Sequence, residues 1–318
     1  MNPDLAPRTG EKLYRRVQKL MGNRFELTIL AEDEHRAATC LDAAVAEIQR
    51  IEAALTTFSD SSLTNQINAM AGVAPVQTSP EVYDLIVRSL RLSELTQGAF
   101  DISYGGVDKS LWNFDLHMKA LPSPAVAKAS VRLVNYRNVV LNPQDRSVFL
   151  REKGMRIGFG GIGKGYAAER SKAVLQKMGV KSGIVNAAGD LTAWGLQPNG
   201  EAWTIGIADP EAAHQPFSRL NITNMAVATS GNYEKYVVID GKKYSHTINP
   251  KTGLPVTGVK SATIICPNAE LADAMATPMM VMGVKVGLNL INQMKGIACV
   301  MIDDHNKVHC SDNIRLTV

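Results

Sequence analysis

Cysteine is scarce in this chain of 318 residues: Cys40, Cys266, Cys299 and Cys310 are the four it has, and they lie far apart. They form no C-x-x-C pair and no His pair accompanies them, so zinc ligation is excluded and free thiols are expected. Long apolar runs are missing too. No stretch approaches the roughly 18 apolar residues of a membrane span. The opening MNPDLAPRTGEKLYRRVQKLMGN is polar and basic, without the apolar region of a secretory signal. As written, this points to the cytoplasm only by the absence of a signal; a trimmed leader would leave the same chain in the periplasm or on a membrane anchor. Neither sign of charge dominates. The 34 basic and 30 acidic residues leave a formal charge of +4 without a long run of either. Electrostatic capture of nucleic acid or of an anionic membrane is therefore not expected. No repeat at the spacing of solenoids or propellers is visible.

What is present is an ordinary globular composition, 45% hydrophobic, sufficient to bury the core of one large domain or two intimate ones. Leu41, Val45, Ile48, Ile51 and Leu55 recur at helical spacing and predict an amphipathic helix over 38–56, preceded by a strand in RFELTIL. A second helix is expected over 80–97, starting at Ser79 or Pro80 and stopped by Gly98. Next come a strand VFLREKGMRIGF, a helix over 163–178, and strands in SGIVNAAG, DLTAWGL and AWTIGIADP. Beyond them lie AVATSG, a YVVIDGKKYSHTI hairpin turning at Asp240-Gly241, and SATIICP. Helices over 269–282 and 285–294 follow, with Pro278 expected to kink or interrupt the first, and IACVMIDDHNKVHCSD reads as a closing hairpin. Strands mixed with hairpins and helices predict an α+β fold with mixed, largely antiparallel sheets rather than a doubly wound parallel sheet.

The glycine-rich stretch Gly158 to Gly165, GFGGIGKG, satisfies G-x-G-x-x-G and nearly satisfies the nucleotide-triphosphatase pattern. Gly165 stands where that second pattern needs a hydroxyl for Mg²⁺, so the pattern fails at its metal ligand. An α+β chain also weakens a dinucleotide reading. What remains is a turn into a helix whose free N–H groups and dipole suit an anion, with Lys164 adding charge, or simply a tight turn with a solvated lysine. Asp273 and Thr277, four apart in ELADAMATPMM, share one helix face as hard oxygen donors of the kind Mg²⁺ accepts. The plainer alternative is a first-turn acid and a Thr bonding back to its own helix, with the neighbouring methionines filling core. His246 precedes a Pro-Lys-Thr-Gly turn that could fix it as a general base, though a lone His is commonly structural.

In order along the chain, LMGNRFELTI, FSDSSLTNQIN, GAFDIS, GGIGKGYAAE, VNAAGDL, WTIGIADP, VATSGNYEKY, YSHTINPKTGLPV and ELADAMATPMMVMG resemble the FAD:protein FMN transferases, the ApbE-like flavin transferases. The resemblance covers about residues 20–285, and it implies an N-terminal extension over 1–19 and a single domain over 20–318. It also implies FAD as substrate, Mg²⁺, and transfer of FMN to a threonine of an acceptor flavoprotein subunit, with AMP released. By matching positions, ligand contacts fall at Met21, Phe58, Ala99, Phe100, Asp101, Lys164 and Thr247. The Gly161 carbonyl, Asp273 and Thr277 would hold the metal, and His246, Lys164 and Asp273 would serve the chemistry. Two positions depart from the pattern. Gly158 replaces a common Asp before Gly-Gly, and Ala188 replaces the first glycine of a common Gly-Gly-Asp, which places a methyl where a ligand would approach backbone. The same site with water as acceptor would make an FAD pyrophosphatase, and without turnover an FAD-binding protein.

Overall fold

In the computed structural model, residues 10–107, 111, 120–208, 216–232, 236–239 and 242–314 are described. Strand β1 (Lys12–Leu20) pairs residue for residue with β2 (Asn23–Ala31) across Met21-Gly22. Both turn residues have positive φ, 51° and 73°, as a tight two-residue hairpin turn requires. The basic stretch before Met21 is thus the edge of the central sheet from Lys12 onward. Helix α1 (Glu34–Leu55) starts where the Asp33 side chain accepts from Arg36 N, and it buries Leu41, Val45, Ile48, Ile51 and Leu55 as expected. Then come the short α2 (Leu63–Ala69), strand β3 (Val76–Gln77) and α3 (Pro80–Leu95), the last capped by Ser79 and followed by Gly98 at φ 79°.

Helix α4 (Pro124–Ser130) leads to β4 (Val139–Asn142) and β5 (Ser147–Leu150), which form a three-stranded sheet with β3. The strand expected to run from Val148 to Phe159 ends at Leu150, where the chain bends through a turn over 151–154 with Gly154 at φ 85°. Ile157 instead exchanges two hydrogen bonds with the side chain of Asn68, N–H to Oδ1 at 2.7 Å and Nδ2 to carbonyl at 3.1 Å. Helix α5 (Gly163–Lys177) follows the glycine-rich turn. Strands β6 (Gly183–Ala187), β7 (Asp190–Trp194), β8 (Trp203–Ala208), β9 (Pro216–Ile222) and β10 (Met225–Gly231) come next. The hairpin of β11 (Tyr236–Ile239) and β12 (Lys242–Ser245) is present, but its expected turn at Asp240-Gly241 lies outside the described residues. The chain closes with β13 (Val259–Cys266), α6 (Ala269–Asn292), β14 (Ala298–Asp303) and β15 (Val308–Cys310).

The main sheet has eight strands in the order β1-β2-β6-β7-β10-β13-β14-β15, every neighbouring pair antiparallel. Alternation along the strands divides the core. Phe25, Leu27, Val185, Ala228, Ile264 and Met301 join one cluster with α1, α5 and α6, while Leu191, Val227, Ile265 and Val300 meet Trp203, Ile205 and Ile207 of β8 on the other face. Each fully buried Leu or Ile contributes about 1.5–3 kcal/mol. The two helices expected over 269–282 and 285–294 are present as the two halves of α6, separated by a kink at Gly283 (φ 75°); the kink expected at Pro278 is absent, and that proline sits buried inside the first half. Glycine accepts the left-handed turn; proline removes one N–H, and the helix continues through it. By length and composition, α6 is the one helix among the described residues that could cross a membrane. Ala272, Met275, Ala276, Met279 and Met280 of this helix pack into the core. All four cysteines are free thiols.

Candidate functional site

Two hairpin turns meet at one end of the main sheet. The second, Ala188-Gly189 between β6 and β7, has φ of 56° and 101°, and Ala188 N donates to Arg24 O just past the first turn at 3.1 Å. Ala188 and Gly189 are exposed, and within the protein the cost of alanine at 188 is the left-handed backbone itself. Ala188→Gly is therefore expected to raise stability by about 0.5–1 kcal/mol, the residual after glycine's larger entropy loss, read as a higher midpoint in denaturant melts.

The start of α5 lies against this end of the sheet. Ile162 occupies the cap position without a side-chain cap bond, leaving the first N–H groups to find partners elsewhere. One partner comes from α6. The Asp273 carboxylate accepts from the backbone N–H groups of Lys164 and Gly165, the latter at 2.8 Å. Asp273 is thus a cap supplied by another helix. A Cβ on Gly165 would lie 2.1 Å from the Ala269 carbonyl oxygen, so only glycine lets the two helices approach this closely.

Lys164 reaches the other way. Its ammonium pairs with the Asp190 carboxylate at the first residue of β7, and that carboxylate also takes a backbone hydrogen bond from Thr229. Asp190 and Asp273 are only 4% and 6% exposed. Burial, and after it the charge of Asp190, pushes the Asp273 carboxyl up to about 7, against the pull of Lys164 and the α5 N–H groups. Burial likewise raises Asp190. Beside them, Thr277 Oγ1 shares a hydrogen bond with Ser230 Oγ at 2.8 Å, and Thr229 Oγ1 one with Thr263 Oγ1 at 2.9 Å. Two buried carboxylates facing one ammonium, with hydroxyls alongside, form a hard-oxygen set that fits a divalent cation. The described residues hold no cluster of three or more His, Cys, Asp and Glu, so protein carboxylates alone do not build this site.

Of the remaining candidates, Met21 and Phe100 pack against the glycine-rich turn that leads into α5. Met21, at φ 51° in the first turn, lies with its methyl 3.5 Å from where a Gly163 Cβ would stand, and the Phe100 ring 3.6 Å from the same point on Gly161. Phe58 is 96% exposed on a loop held by Asn65, whose Nδ2 donates to Thr57 O and Ser59 O. A Cβ on Gly158 would make only an ordinary 3.8 Å contact with Thr57, so the missing Asp is a lost side chain rather than a tightened turn. Ala99 is buried. The Asp101 carboxylate accepts from Ser103 N, Ser103 Oγ and Tyr136 N, and burial raises its pKa; here it braces its own loop. Thr247 N donates to Ser245 Oγ, Val256 N donates to Thr247 O, and the Tyr104 hydroxyl meets the Ile248 backbone. The segment carrying His246 and Thr247 is thereby tied to the one carrying Asp101. Asn65, Asn68, Asp190 and Ser230 were not picked out from the sequence as site residues. Two asparagines three apart on a helix were the readable signal for the first pair; Asp190 and Ser230 lie in the VNAAGDL and VATSGNYEKY motifs, but their partners appear only once the strands are paired.

Residues 21–301 match the model of the ApbE family. The chain belongs to the ApbE family. Similar proteins include the FAD:protein FMN transferase of Treponema pallidum, 30% identical and covering 95% of this chain and 87% of the relative. That of Klebsiella pneumoniae is also 30% identical, over 97% and 95%. The crystal structure of the ApbE protein from Thermotoga maritima superposes with a TM-score of 0.85 at 28% identity, covering 95% of this chain and 97% of that one. The antiparallel sheet with helices packed on one face is therefore an ApbE fold.

Proposed function

We propose that this ApbE-family chain transfers the FMN moiety of FAD to a threonine hydroxyl of an acceptor flavoprotein and releases AMP, in a Mg²⁺-dependent reaction. The observation that carries the reading is the Lys164–Asp190–Asp273 cluster at the start of α5, its two carboxylates buried, with the Ser230–Thr277 hydroxyl pair beside it. Phosphoryl-type transfer needs a positioned hydroxyl, a sink for its proton, and compensation of the charge on the pyrophosphate. Asp273, Thr277 and the Gly161 carbonyl would hold Mg²⁺, which when bound supplies that compensation. Lys164 adds an ammonium on the same side. His246, on the segment anchored through Ile248 and Thr247, takes the threonine proton. In this reading Met21, Phe58, Ala99, Phe100, Asp101, Gly158 and Thr247 hold the flavin nucleotide.

The test is mass spectrometry of a threonine-bearing acceptor domain incubated with the protein, FAD and Mg²⁺, with AMP and free FMN quantified in parallel. The expected result is acceptor carrying FMN and AMP released in equal amount. AMP with free FMN and unmodified acceptor would replace the transferase by an FAD pyrophosphatase, and intact FAD would leave a binding protein.

A further inference from the structure

We propose that Asp190 is a positioning residue of this site, holding the Lys164 ammonium where the reacting phosphate must pass; this rests on the flavin-transfer reading. Lys164 stands on the first turn of α5 with its side chain 28% exposed, and a lysine there would ordinarily extend into water. Instead it pairs with a carboxylate 6% exposed. That carboxylate is fixed at three levels. It is the first residue after the Ala188-Gly189 turn, its partner across the hairpin is Ala187, and it accepts from the Thr229 backbone on the neighbouring strand. A carboxylate so enclosed is costly unless paired, so Lys164 is drawn inward and its flexible stem is held in one arrangement. The direction matters because the same ammonium acts on Asp273, the proposed metal ligand from α6. Asp190 therefore sets the geometry between the charge carried by α5 and the charge carried by α6, without touching substrate itself.

Asp190→Asn keeps the shape and an oxygen for the Thr229 bond while releasing Lys164. Turnover, followed as AMP release with FAD and Mg²⁺, is expected to fall roughly 10- to 100-fold, the range for partners that orient a reacting group. FAD binding by quenching of flavin fluorescence should change far less, so the loss appears in kcat. The deciding measurement is a cycle with Lys164→Gln. If Asp190 acts through Lys164, the double variant loses no more activity than Lys164→Gln alone, and it melts higher, because the single variant leaves Asp190 buried and unpaired. Fully additive losses would overturn the inference, as would an Asp190→Asn protein with wild-type kcat. Should Asp190→Asn alone fail to fold, Lys164→Gln against the double variant still decides. Absence of AMP release by the wild-type protein would instead sink the flavin-transfer reading on which the inference stands.

Discussion

Asp273→Ala is expected to lower AMP release from FAD by about 10²–10³-fold, equivalent to several kcal/mol of lost charge compensation in the transition state. The alanine variant also removes the acceptor for the first N–H groups of α5, so its stability has to be read beside its activity. Asp273→Asn separates the two effects, because the amide oxygen can still accept from Gly165 N while the charge is gone. Its stability carries a signature of its own. Burial and Asp190 raise the Asp273 carboxyl to about 7, above its value in the unfolded chain. The folded state then holds a proton that the unfolded chain releases between about pH 4 and pH 7. Metal-free wild-type protein should therefore lose on the order of 4 kcal/mol of stability from this group as pH rises through that window. Asp273→Asn should show no such loss and should melt above wild type at pH 8, with the gap closing toward pH 4. A bound divalent cation would hold the carboxylate ionised and flatten the wild-type profile. Unchanged turnover in both variants, or a wild-type melting curve indifferent to pH and Mg²⁺, would remove Asp273 from the proposed metal set.

Gly165→Ala should be the most damaging small substitution at the site. The added methyl carbon would stand 2.1 Å from the Ala269 carbonyl oxygen and 2.7 Å from Asp273 Cβ, one of them backbone at the start of α6. Neither neighbour can yield without separating α5 from α6, and a loss of about 3 kcal/mol or more is expected. Differential scanning calorimetry should show it as a fall in Tm of roughly 5–10 °C. Because the same contact sets the distance from the α5 N–H groups to the Asp273 carboxylate, turnover should fall along with stability. A Gly165→Ala protein with wild-type Tm and activity would contradict the close helix approach.

These two residues show what could be read without coordinates. The helix containing Leu41, Val45 and Ile48 was legible because amphipathic spacing is local, and so was the α5 start after GFGGIGKG. Asp273 and Thr277 were legible as a pair because a helix places residues four apart on one face. The role of Asp273 was not. A first-turn acid on its own helix was the plainer expectation, whereas the structure makes it the cap of α5, and that depends on Gly165 permitting contact across 108 positions of chain. The Val148 to Phe159 stretch was read as a single strand from its apolar residues. Its second half is held by Asn68 instead, after a turn over 151–154 that the apolar pattern does not reveal.

By itself the sequence determined the long helices α1, α3, α5 and α6, many of the strands, the α+β class and the motifs that tie the chain to the ApbE family, all of which rest on local periodicity and on the order of short motifs; the short α2 and α4 and the edge strand β1 were not read from it. Only the tertiary structure decided that Lys164 turns toward Asp190, that Ser230 meets Thr277, and that Met21 and Ala188 occupy left-handed turns at the same end of the sheet. Such pairings depend on strand register and helix separation, and those are set by the packing of the whole core rather than by any segment's own preference.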